Sequence, residues 1–252
     1  MKIAVVTGAS SGLGQAFARQ IKAAFPEVEA IWLIARRKER LEDFAASLEG
    51  AAVKCLPLDL CQENGINLLR ETLAGERAEV VLLINNAGCG YLGNFGEGDG
   101  KLQTTMTNLN VTALTEVTQM CLPYMKKGSH IINVSSIASF CPNPRLTVYS
   151  STKAFVSSFT RGLSVELKPR GIGVTAVCPG PMRTEFLTVG NITGNSKTFE
   201  TLPYCDPEKV AVGTLRAAKR GNVFYTPTFL YKIFRVVAKI LPQAWMIKAT
   251  KA

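Results

Sequence analysis

The sequence predicts an α/β fold built on a doubly wound parallel sheet. Short apolar runs rich in β-branched residues alternate along the chain with longer helical patterns. Because helical crossovers join neighbouring parallel strands, this alternation indicates a parallel sheet covered by helices on both faces. A composition that is 47% hydrophobic and 19% charged is typical of a globular domain and excludes a disordered chain.

The individual elements follow in order along the chain. We predict six strands that are buried on both faces of the sheet: Ile3–Val6, Ala30–Ile34, Ala52–Leu56, Val80–Ile84, His130–Val134 and Gly173–Val177. The predicted helices between them are Leu13–Phe25, Lys38–Leu48, Gln62–Leu73, Leu102–Met125 and Val148–Leu167. Pro26 stops the first of these helices and Pro169 the last, because proline lacks the amide proton that a helix needs. In such a sheet, ligands bind outside the carboxyl ends of the strands.

A glycine-rich turn joins the first predicted strand directly to the first predicted helix. Glycine lets the backbone approach a pyrophosphate closely, and the amide groups of a helix N-terminus attract an anion. The strand before the turn and the helix after it favour a dinucleotide site over a plain turn with a capping serine. This Rossmann-like interpretation predicts a phosphate loop formed by Gly8, Ser10, Ser11, Gly12, Leu13 and Gly14.

The end of the second predicted strand bears on the choice of cofactor. An NAD site usually has an acidic residue there, which accepts a hydrogen bond from the ribose 2′-hydroxyl group. Here Arg36 and Arg37 follow Ala35, and guanidinium groups suit a 2′-phosphate. We therefore predict NADP(H); the alternative is an exposed basic helix start, since Lys38 and Arg40 continue the run.

Tyr149 and Lys153 are four residues apart at the start of a helical pattern, so both side chains can point into one site. An ammonium group about 4 Å away would favour the phenolate by about 4 kcal/mol and lower the phenol pKa by roughly three units. Tyr149 would then serve as a general acid or base. Alone, the pair is equally typical of an amphipathic helix.

Together these motifs resemble the short-chain dehydrogenase/reductase family, and more narrowly its NADP(H)-dependent hydroxysteroid dehydrogenases and carbonyl reductases. The matching positions keep the family's order and spacing over about residues 1–190: Thr7-Gly8-x-x-x-Gly12-x-Gly14, Asp59, Asn85-Asn86-Ala87-Gly88, Asn110, Ser136, Tyr149-x-x-x-Lys153 and Pro179-Gly180. Each motif is common alone, but the combination is specific.

The resemblance implies a role for each matching residue. Ser136 would bind the substrate carbonyl oxygen, Tyr149 would protonate it, and Lys153 would bind the nicotinamide ribose. Asn110 would hold a water molecule that links Lys153 to solvent. The implied contacts to the rest of the cofactor come from Asp59, Leu60, Asn86, Ala87, Gly88, Pro179, Gly180, Met182 and Thr184.

Two of these assignments have a close alternative in the sequence. Ser135 also stands at the end of its strand, and Ser136 is preferred because the family places the serine thirteen residues before the tyrosine. Asn108 lies two residues before Asn110, which is preferred because Val111 follows it as in the family.

The predicted substrate is a ketone or secondary alcohol on a hydrophobic body. The pocket side chains that we expect are Tyr91, Phe95, Phe140, Leu146, Met182, Phe186 and Leu187. The resemblance favours a hydroxysteroid, including the bile-acid type, with a 3-oxoacyl (fatty acyl) reductase or a broad carbonyl reductase as alternatives. A hypothesis of another class is a catalytically silent dinucleotide-binding regulator.

We predict one domain over residues 1–222 and a basic amphipathic extension over residues 223–252. The chain has 29 Lys and Arg, 19 Asp and Glu and a net charge of +10, and nine of its bases but no acid lie in residues 209–252. The apolar residues of Thr228–Leu241 surround Lys232, Arg235 and Lys239, which indicates a helix ended by Pro242.

Three functions suit the extension. Its apolar face packs on the domain or on another subunit in the preferred interpretation. Peripheral membrane contact through residues 228–247 is the alternative, and lining of the substrate pocket is compatible with both. A nucleic-acid partner is not expected, because the rest of the protein is electrically balanced and has no known recognition motif. The family resemblance implies a homo-dimer or homo-tetramer.

The remaining composition concerns metals and location. Seven scattered cysteines and a single histidine, His130, predict free thiols and no metal site. The N-terminal apolar run is too short for a signal peptide, and no uncharged apolar run is long enough to span a membrane. We therefore expect a cytoplasmic protein.

Overall fold

The computed structural model describes residues 1–76 and 78–250. Its strands are β1 Lys2–Thr7, β2 Ala30–Ala35, β3 Ala52–Pro57, β4 Glu79–Asn85, β5 His130–Val134, β6 Gly173–Val177 and β7 Phe224–Tyr225. They form one sheet in the order β3-β2-β1-β4-β5-β6-β7, and every pair is parallel. The chain order reverses between β1 and β4, which opens a crevice at the carboxyl ends of these strands.

The helices cover both faces of this sheet. They are α1 Gly12–Ala24, α2 Lys38–Ala46, α3 Glu63–Gly75, α4 Gly100–Thr107, α5 Leu114–Cys121, α6 Thr147–Glu166, α7 Glu185–Val189, α8 Lys197–Thr201, α9 Pro207–Lys219, α10 Phe229–Ile240 and α11 Gln243–Ala249. Side chains of α1, α2 and α9 pack in one apolar layer, and those of α3 and α5 pack in the other.

Strand β1 illustrates how the sheet divides the core. Successive side chains of a strand point to opposite faces. Ala4 and Val6 therefore join the layer of α1 and α9, while Ile3 and Val5 join the layer of α3 and α5. Because both faces are covered, β1 needs an apolar residue at every one of these positions, and this explains its unbroken apolar sequence.

The six predicted strands and the parallel doubly wound fold are confirmed. One detail is wrong: β3 is not buried on both faces, because it is the edge strand and only Leu56 in it is buried. Strand β7 was not predicted. It contains two residues, too few for a recognisable pattern, and it pairs with the end of β6.

The prediction of one regular helix over Leu102–Met125 is also wrong. A π-helical segment, Asn108–Ala113, separates α4 from α5, and a short 3₁₀ turn at Leu122–Tyr124 follows α5. A π-helical segment holds one extra residue in its turn, and such segments are frequent at functional sites. Here the segment contains the buried Asn110.

The extension begins at the sheet, and its last described residue, Thr250, lines the cavity at the carboxyl ends of the strands. The predicted boundary after residue 222 falls just before β7, and the predicted helix is found as α10. The side chain of Thr228 caps α10 by accepting a hydrogen bond from the Tyr231 amide, and Pro242 follows its end. Residues 251 and 252 lie outside the described part of the chain. Among the described residues, none of the helices combines the length and apolarity needed to cross a membrane.

Candidate active site

A cavity of about 1060 Å³ lies at the carboxyl ends of the strands. The predicted site residues that line it are Gly8, Ser10, Ser11, Gly12, Leu13, Arg36, Arg37, Asp59, Leu60, Asn86, Ala87, Gly88, Ser136, Tyr149, Lys153, Pro179, Gly180, Met182 and Thr184. The other two, Gly14 and Asn110, lie behind its wall. Residues from six separate strand ends and loops thus meet at one surface.

Gly14 lets α1 pack directly against the phosphate loop. A Cβ atom at this position would lie 2.3 Å from the carbonyl oxygen of Gly8 and 2.7 Å from Nδ2 of Asn86. Asn86 in turn donates hydrogen bonds from Nδ2 to the carbonyl oxygens of Thr7 and Gly8, each at 3.0 Å. The Asn86 side chain therefore fixes the loop to the end of β4.

The N-terminus of α1 faces the cavity with groups that suit an anion. Its first turn contains no acidic residue, and the hydroxyl of Ser11, its N-cap residue, accepts no hydrogen bond from the helix backbone. Arg37 donates hydrogen bonds to Oγ of Ser10 at 3.0 Å and to Oγ of Ser11 at 3.4 Å. The loop thus places hydroxyl groups and a guanidinium group where the helix dipole favours negative charge.

The end of β2 carries a cluster of three arginines beside one carboxylate. Arg36 is exposed and lines the cavity. Arg37 forms an ion pair with Glu185 at 2.8 Å, and Arg40 pairs with the same carboxylate. Hydrogen bonds from Arg40 and Arg37 lower the pKa of Glu185. Glu185 begins α7, so this cluster joins the cofactor side of the cavity to the segment that follows Thr184.

Asp59 turns its carboxylate back on its own loop. Its Oδ1 accepts a hydrogen bond from the Cys61 amide at 2.9 Å. Both Asp59 and Leu60 line the cavity beside Arg36. The carboxylate thereby shapes the loop after β3 while one face of the residue remains available to a ligand.

Ser136, Tyr149 and Lys153 meet on the wall formed by β5 and α6. Tyr149 and Lys153 are buried on the first turns of α6. The Lys153 Nζ atom donates a hydrogen bond to the carbonyl oxygen of Val134 at 2.8 Å and lies 5.8 Å from the centre of the Tyr149 ring. Hydrogen bonding from Ser136 acts to lower the pKa of Tyr149.

The predicted lowering of the Tyr149 pKa is wrong for this structure. Burial raises the pKa of Tyr149 to about 12, and the Ser136 hydrogen bond opposes this only in part. Burial also lowers the pKa of Lys153 to about 8. The reason is that both groups lose hydration, while the ammonium lies against the ring and is held by the Val134 carbonyl group. Tyr149 therefore keeps its proton at neutral pH.

The two close alternatives have different surroundings from the preferred residues. Ser135 donates its hydroxyl proton to the Lys153 carbonyl oxygen at 2.8 Å, so it holds α6 against β5. Asn108 is exposed, whereas Asn110 is buried.

The Asn110 side chain ties three segments together. Its Nδ2 donates to the Cys89 carbonyl oxygen and to Thr152 Oγ1, and its Oδ1 accepts from the Cys89 amide. At Gly88, a Cβ atom would lie 3.0 Å from Asn110 Oδ1 and 3.3 Å from Lys153 Nζ. Glycine there leaves room for both polar groups at one point of the cavity wall.

The remaining wall of the cavity is apolar. Of the predicted pocket residues, Tyr91, Leu146, Met182, Phe186 and Leu187 line it. The prediction is wrong for the other two. Phe95 is 73% exposed on a surface loop, and Phe140 packs beside the cavity lining with its ring 6.0 Å from that of Phe234.

Residues of the extension complete the apolar wall, and sequence reasoning did not name them as individual site residues. They are Leu230, Tyr231, Phe234, Val237, Met246 and Thr250. Tyr231 is buried against Gly180 and donates its hydroxyl proton to the Pro203 carbonyl oxygen at 2.6 Å. Phe234 and Val237 are three residues apart, and this helical spacing predicts a packed face without indicating that the face lines a ligand site.

No candidate metal centre is present among the described residues, where histidine, cysteine and acidic side chains form no group of three. The seven cysteines are free thiols. Burial raises the pKa of Cys89, which lines the cavity, so this thiol stays protonated at neutral pH.

Known proteins are similar to this chain in sequence and in fold. Residues 2–192 match the family described as short chain dehydrogenase. The chain belongs to the short-chain dehydrogenase family. The predicted family membership is therefore confirmed, and the match supports an oxidoreductase of the type that acts on CH–OH groups.

Individual relatives of this short-chain dehydrogenase differ in substrate. The chain is 35% identical over 216 residues to a very-long-chain 3-oxoacyl-CoA reductase-A of Danio rerio. The aligned segment covers 79% of this chain and 64% of that relative. The chain thus spans less than two thirds of that relative's length.

Two solved structures are also similar. A short-chain dehydrogenase from Sphingobium yanoikuyae in complex with NADPH has a TM-score of 0.80 at 28% identity and covers 97% of this chain and 98% of its own. A bulky-bulky ketone specific alcohol dehydrogenase from Comamonas testosteroni has a TM-score of 0.76 at 27% identity and covers 97% of this chain and 96% of its own.

Proposed function

We propose that this short-chain dehydrogenase is an NADP(H)-dependent oxidoreductase that acts on a ketone or secondary alcohol carried by a bulky hydrophobic body. The observation that carries the proposal is the meeting of Ser136, Tyr149 and Lys153 on one wall of a cavity. The phosphate loop forms a second part of that cavity and apolar side chains a third. The cavity can therefore hold a dinucleotide and an apolar substrate together, with a proton donor in its wall.

The residues around the phosphate loop fit a dinucleotide. The close packing of α1 on Gly8 leaves backbone amide groups and the Ser10 and Ser11 hydroxyls to bind the pyrophosphate. Asp59 and Leu60 would border the adenine, and Asn86 to Gly88 the adjoining ribose. Pro179, Gly180, Met182 and Thr184 would border the nicotinamide. When bound, the nicotinamide supplies or accepts the hydride.

The proton chemistry belongs to Tyr149. In the direction of reduction, the Tyr149 hydroxyl gives its proton to the substrate oxygen while the carbonyl carbon gains a hydride. Ser136 donates a hydrogen bond to the same oxygen, and the Lys153 ammonium group stabilises the negative charge that develops there. The raised pKa of Tyr149 supports this direction, because a protonated phenol is ready to act as an acid. Asn110 would hold the water molecule that links Lys153 to solvent.

Arg36 and Arg37 support NADP(H) over NAD(H). An acid that would bind a ribose 2′-hydroxyl group is replaced at the end of β2 by these two guanidinium groups, and Arg40 adds a third nearby. Guanidinium groups bind a phosphate dianion through paired hydrogen bonds. Glu185 already pairs with Arg37 and Arg40, so a 2′-phosphate would share these donors with it or displace it.

The apolar wall supports a bulky substrate body. Phe186, Phe234 and Leu230 lie along it with other apolar side chains. A hydroxysteroid has an apolar body of this kind, and it remains our preferred class. The identity to a very-long-chain 3-oxoacyl-CoA reductase favours a 3-oxoacyl chain as the second candidate.

A substrate panel tests the proposal. Purified protein with NADPH should reduce ketosteroids or 3-oxoacyl thioesters in a spectrophotometric assay, and the rates rank the two classes. Binding of NADPH without turnover of any ketone would instead favour the catalytically silent regulator. Consumption of NADH and NADPH with equal efficiency would contradict the proposed cofactor.

A further inference from the structure

Helix α10 presents an apolar stripe to solvent. Its members are Phe229, Ile233, Val236 and Ile240, which recur at intervals of four, three and four residues and therefore share one face. Phe229 is 77% exposed and Ile240 74% exposed. Large apolar side chains scattered singly over a surface are ordinary, but a contiguous stripe of them marks an interaction site.

This stripe does not pack on the body of the protein. The opposite face of α10, with Tyr231, Phe234 and Ala238, is the one that packs inward. The preferred prediction, in which the apolar face packs on the domain or on another subunit, thus holds for the Tyr231 face of the helix and leaves the stripe without a contact on the domain. Helix α11, which follows α10 after Pro242, also has an exposed aromatic side chain, Trp245, which is 65% exposed. We call the set Phe229, Ile233, Val236, Ile240 and Trp245 the outer face.

Basic residues border the outer face. Lys232 and Lys239 are exposed along one edge of α10, one position before Ile233 and one before Ile240, and Lys248 is exposed on α11. Arg235 is set apart, because it lies over the Phe224 ring at 4.4 Å. The sequence from residue 209 to its end contains no acidic residue that would neutralise them.

The charge decides between two occupants of the outer face. In a symmetric dimer the same patch of each copy meets the other, so Lys232 and Lys239 would approach their own counterparts, and residues 209–252 of neither copy offer an acid to pair with them. A bilayer with anionic headgroups accepts both features. The apolar stripe and Trp245 enter the boundary between headgroups and acyl chains, while the lysines contact the lipid phosphates.

We propose that the outer face docks the enzyme on the surface of an anionic lipid bilayer. We expect this docking to deliver substrate to the cavity, an expectation that rests on the proposed function. Leu230 belongs to the same helix and lines the cavity, as do the exposed residues Leu102 and Val189. An apolar cavity rim beside the docked helix lets a water-insoluble substrate pass from the bilayer to the site.

Vesicle binding tests the docking without substrate or cofactor. The full chain is mixed with vesicles of phosphatidylcholine alone or of phosphatidylcholine with phosphatidylglycerol, and the bound fraction is measured by cosedimentation. Binding should require the anionic lipid. The double variant Ile233→Ser/Ile240→Ser should weaken it at least about tenfold, and Lys232→Gln/Lys239→Gln about fivefold for each lysine removed. Leu68→Ser, on an equally exposed position of α3, and Lys127→Gln/Lys168→Gln are the matched controls and should bind like the parent.

Trp245 provides a second measurement that reports the orientation. The chain has two tryptophans, and Trp32 is fully buried in the core. Anionic vesicles should therefore shift the emission of Trp245 to shorter wavelength, and Trp245→Phe should remove the shift. Absence of vesicle binding, or binding that the outer-face variants leave unchanged, would overturn the proposal. A dimer in gel filtration that Ile233→Ser/Ile240→Ser converts to monomer would assign the face to a second copy instead.

The same variants separate this proposal from the proposed function. None of the substituted residues lines the cavity, so turnover of a water-soluble ketone should match the parent. With a substrate dissolved in vesicles, the outer-face variants should turn over at least about tenfold more slowly, in proportion to their lost binding. Vesicle binding without turnover of any ketone would overturn the proposed function and leave the docking intact.

Discussion

The two walls of the cavity are built from different parts of the chain and in different ways. The polar wall comes from the loops that directly follow the strands, with Ser136, Tyr149 and Lys153 as its centre. The apolar wall combines side chains of α10 and α11, which lie in the acid-free part of the sequence, with others from the loops and helices before them. The family match covers residues 2–192, which include Ser136, Tyr149 and Lys153, and it ends before α10 and α11. We therefore assign the reaction to the first wall and the choice of substrate to the second.

The largest effect should come from the centre of the polar wall. Tyr149→Phe removes the proton donor and should lower kcat about a thousandfold, within the range of general acid catalysis. Cofactor binding, measured by fluorescence titration with NADPH, should persist. Tyr91→Phe is the matched control, since Tyr91 also lines the cavity and should keep most of the activity. Normal turnover by Tyr149→Phe would refute the role of this wall.

Removal of the two arginines should act on one cofactor only. Arg36→Ala/Arg37→Ala should raise the KM for NADPH between about ten- and a hundredfold, because charge-assisted hydrogen bonds to the 2′-phosphate are lost. The KM for NADH should hardly change. Lys38 is the next base along the chain; its Nζ atom lies 3.8 Å from Oε1 of Glu42, and the residue does not line the cavity. Lys38→Ala is therefore the control. Equal losses with both cofactors would show that the arginines support the loop and do not read the phosphate.

The pH profile of reduction should report Lys153. Its pKa of about 8 means that the ammonium is charged below this pH and loses its charge above it, while Tyr149 keeps its proton up to about pH 12. The rate should be constant below about pH 8 and then fall roughly tenfold per pH unit. In Lys153→Arg, the residual activity should lack this fall, because guanidinium stays charged. A parent profile that stays flat well above pH 8 would contradict the assignment.

The smallest of these effects should come from the apolar wall and should leave the cofactor untouched. Phe234→Ala removes apolar contact area and should raise the KM for a bulky ketone about tenfold, with the KM for NADPH unchanged. Val236→Ala lies on the same helix but faces solvent, so its kinetics should match those of the parent. If the two variants behave alike, α10 does not select the substrate.

The contrast between the walls also explains what the sequence could predict. Strands buried on both faces leave unbroken apolar runs, and the site residues follow them at fixed distances, so the sheet and most of the polar wall were predictable. The two-residue β7 and the π-helical segment at Asn110 leave no periodic signal.

Properties that depend on burial in the folded protein could not be predicted from the sequence. The spacing of Tyr149 and Lys153 predicts proximity, but the raised pKa of Tyr149 depends on three-dimensional burial. Similarly, the pattern of α10 reveals two apolar faces without indicating that Tyr231 turns inward and Ile240 outward.

Isotope transfer tests the central claim most directly. Parent protein is supplied with NADPH that carries deuterium at the transferred position of the nicotinamide and with a bulky apolar ketone, and the alcohol formed is examined by mass spectrometry. The account predicts an alcohol that carries one deuterium on its carbinol carbon, with formation about a thousandfold slower in Tyr149→Phe. An alcohol without deuterium, or no alcohol with any apolar ketone despite bound NADPH, would contradict it.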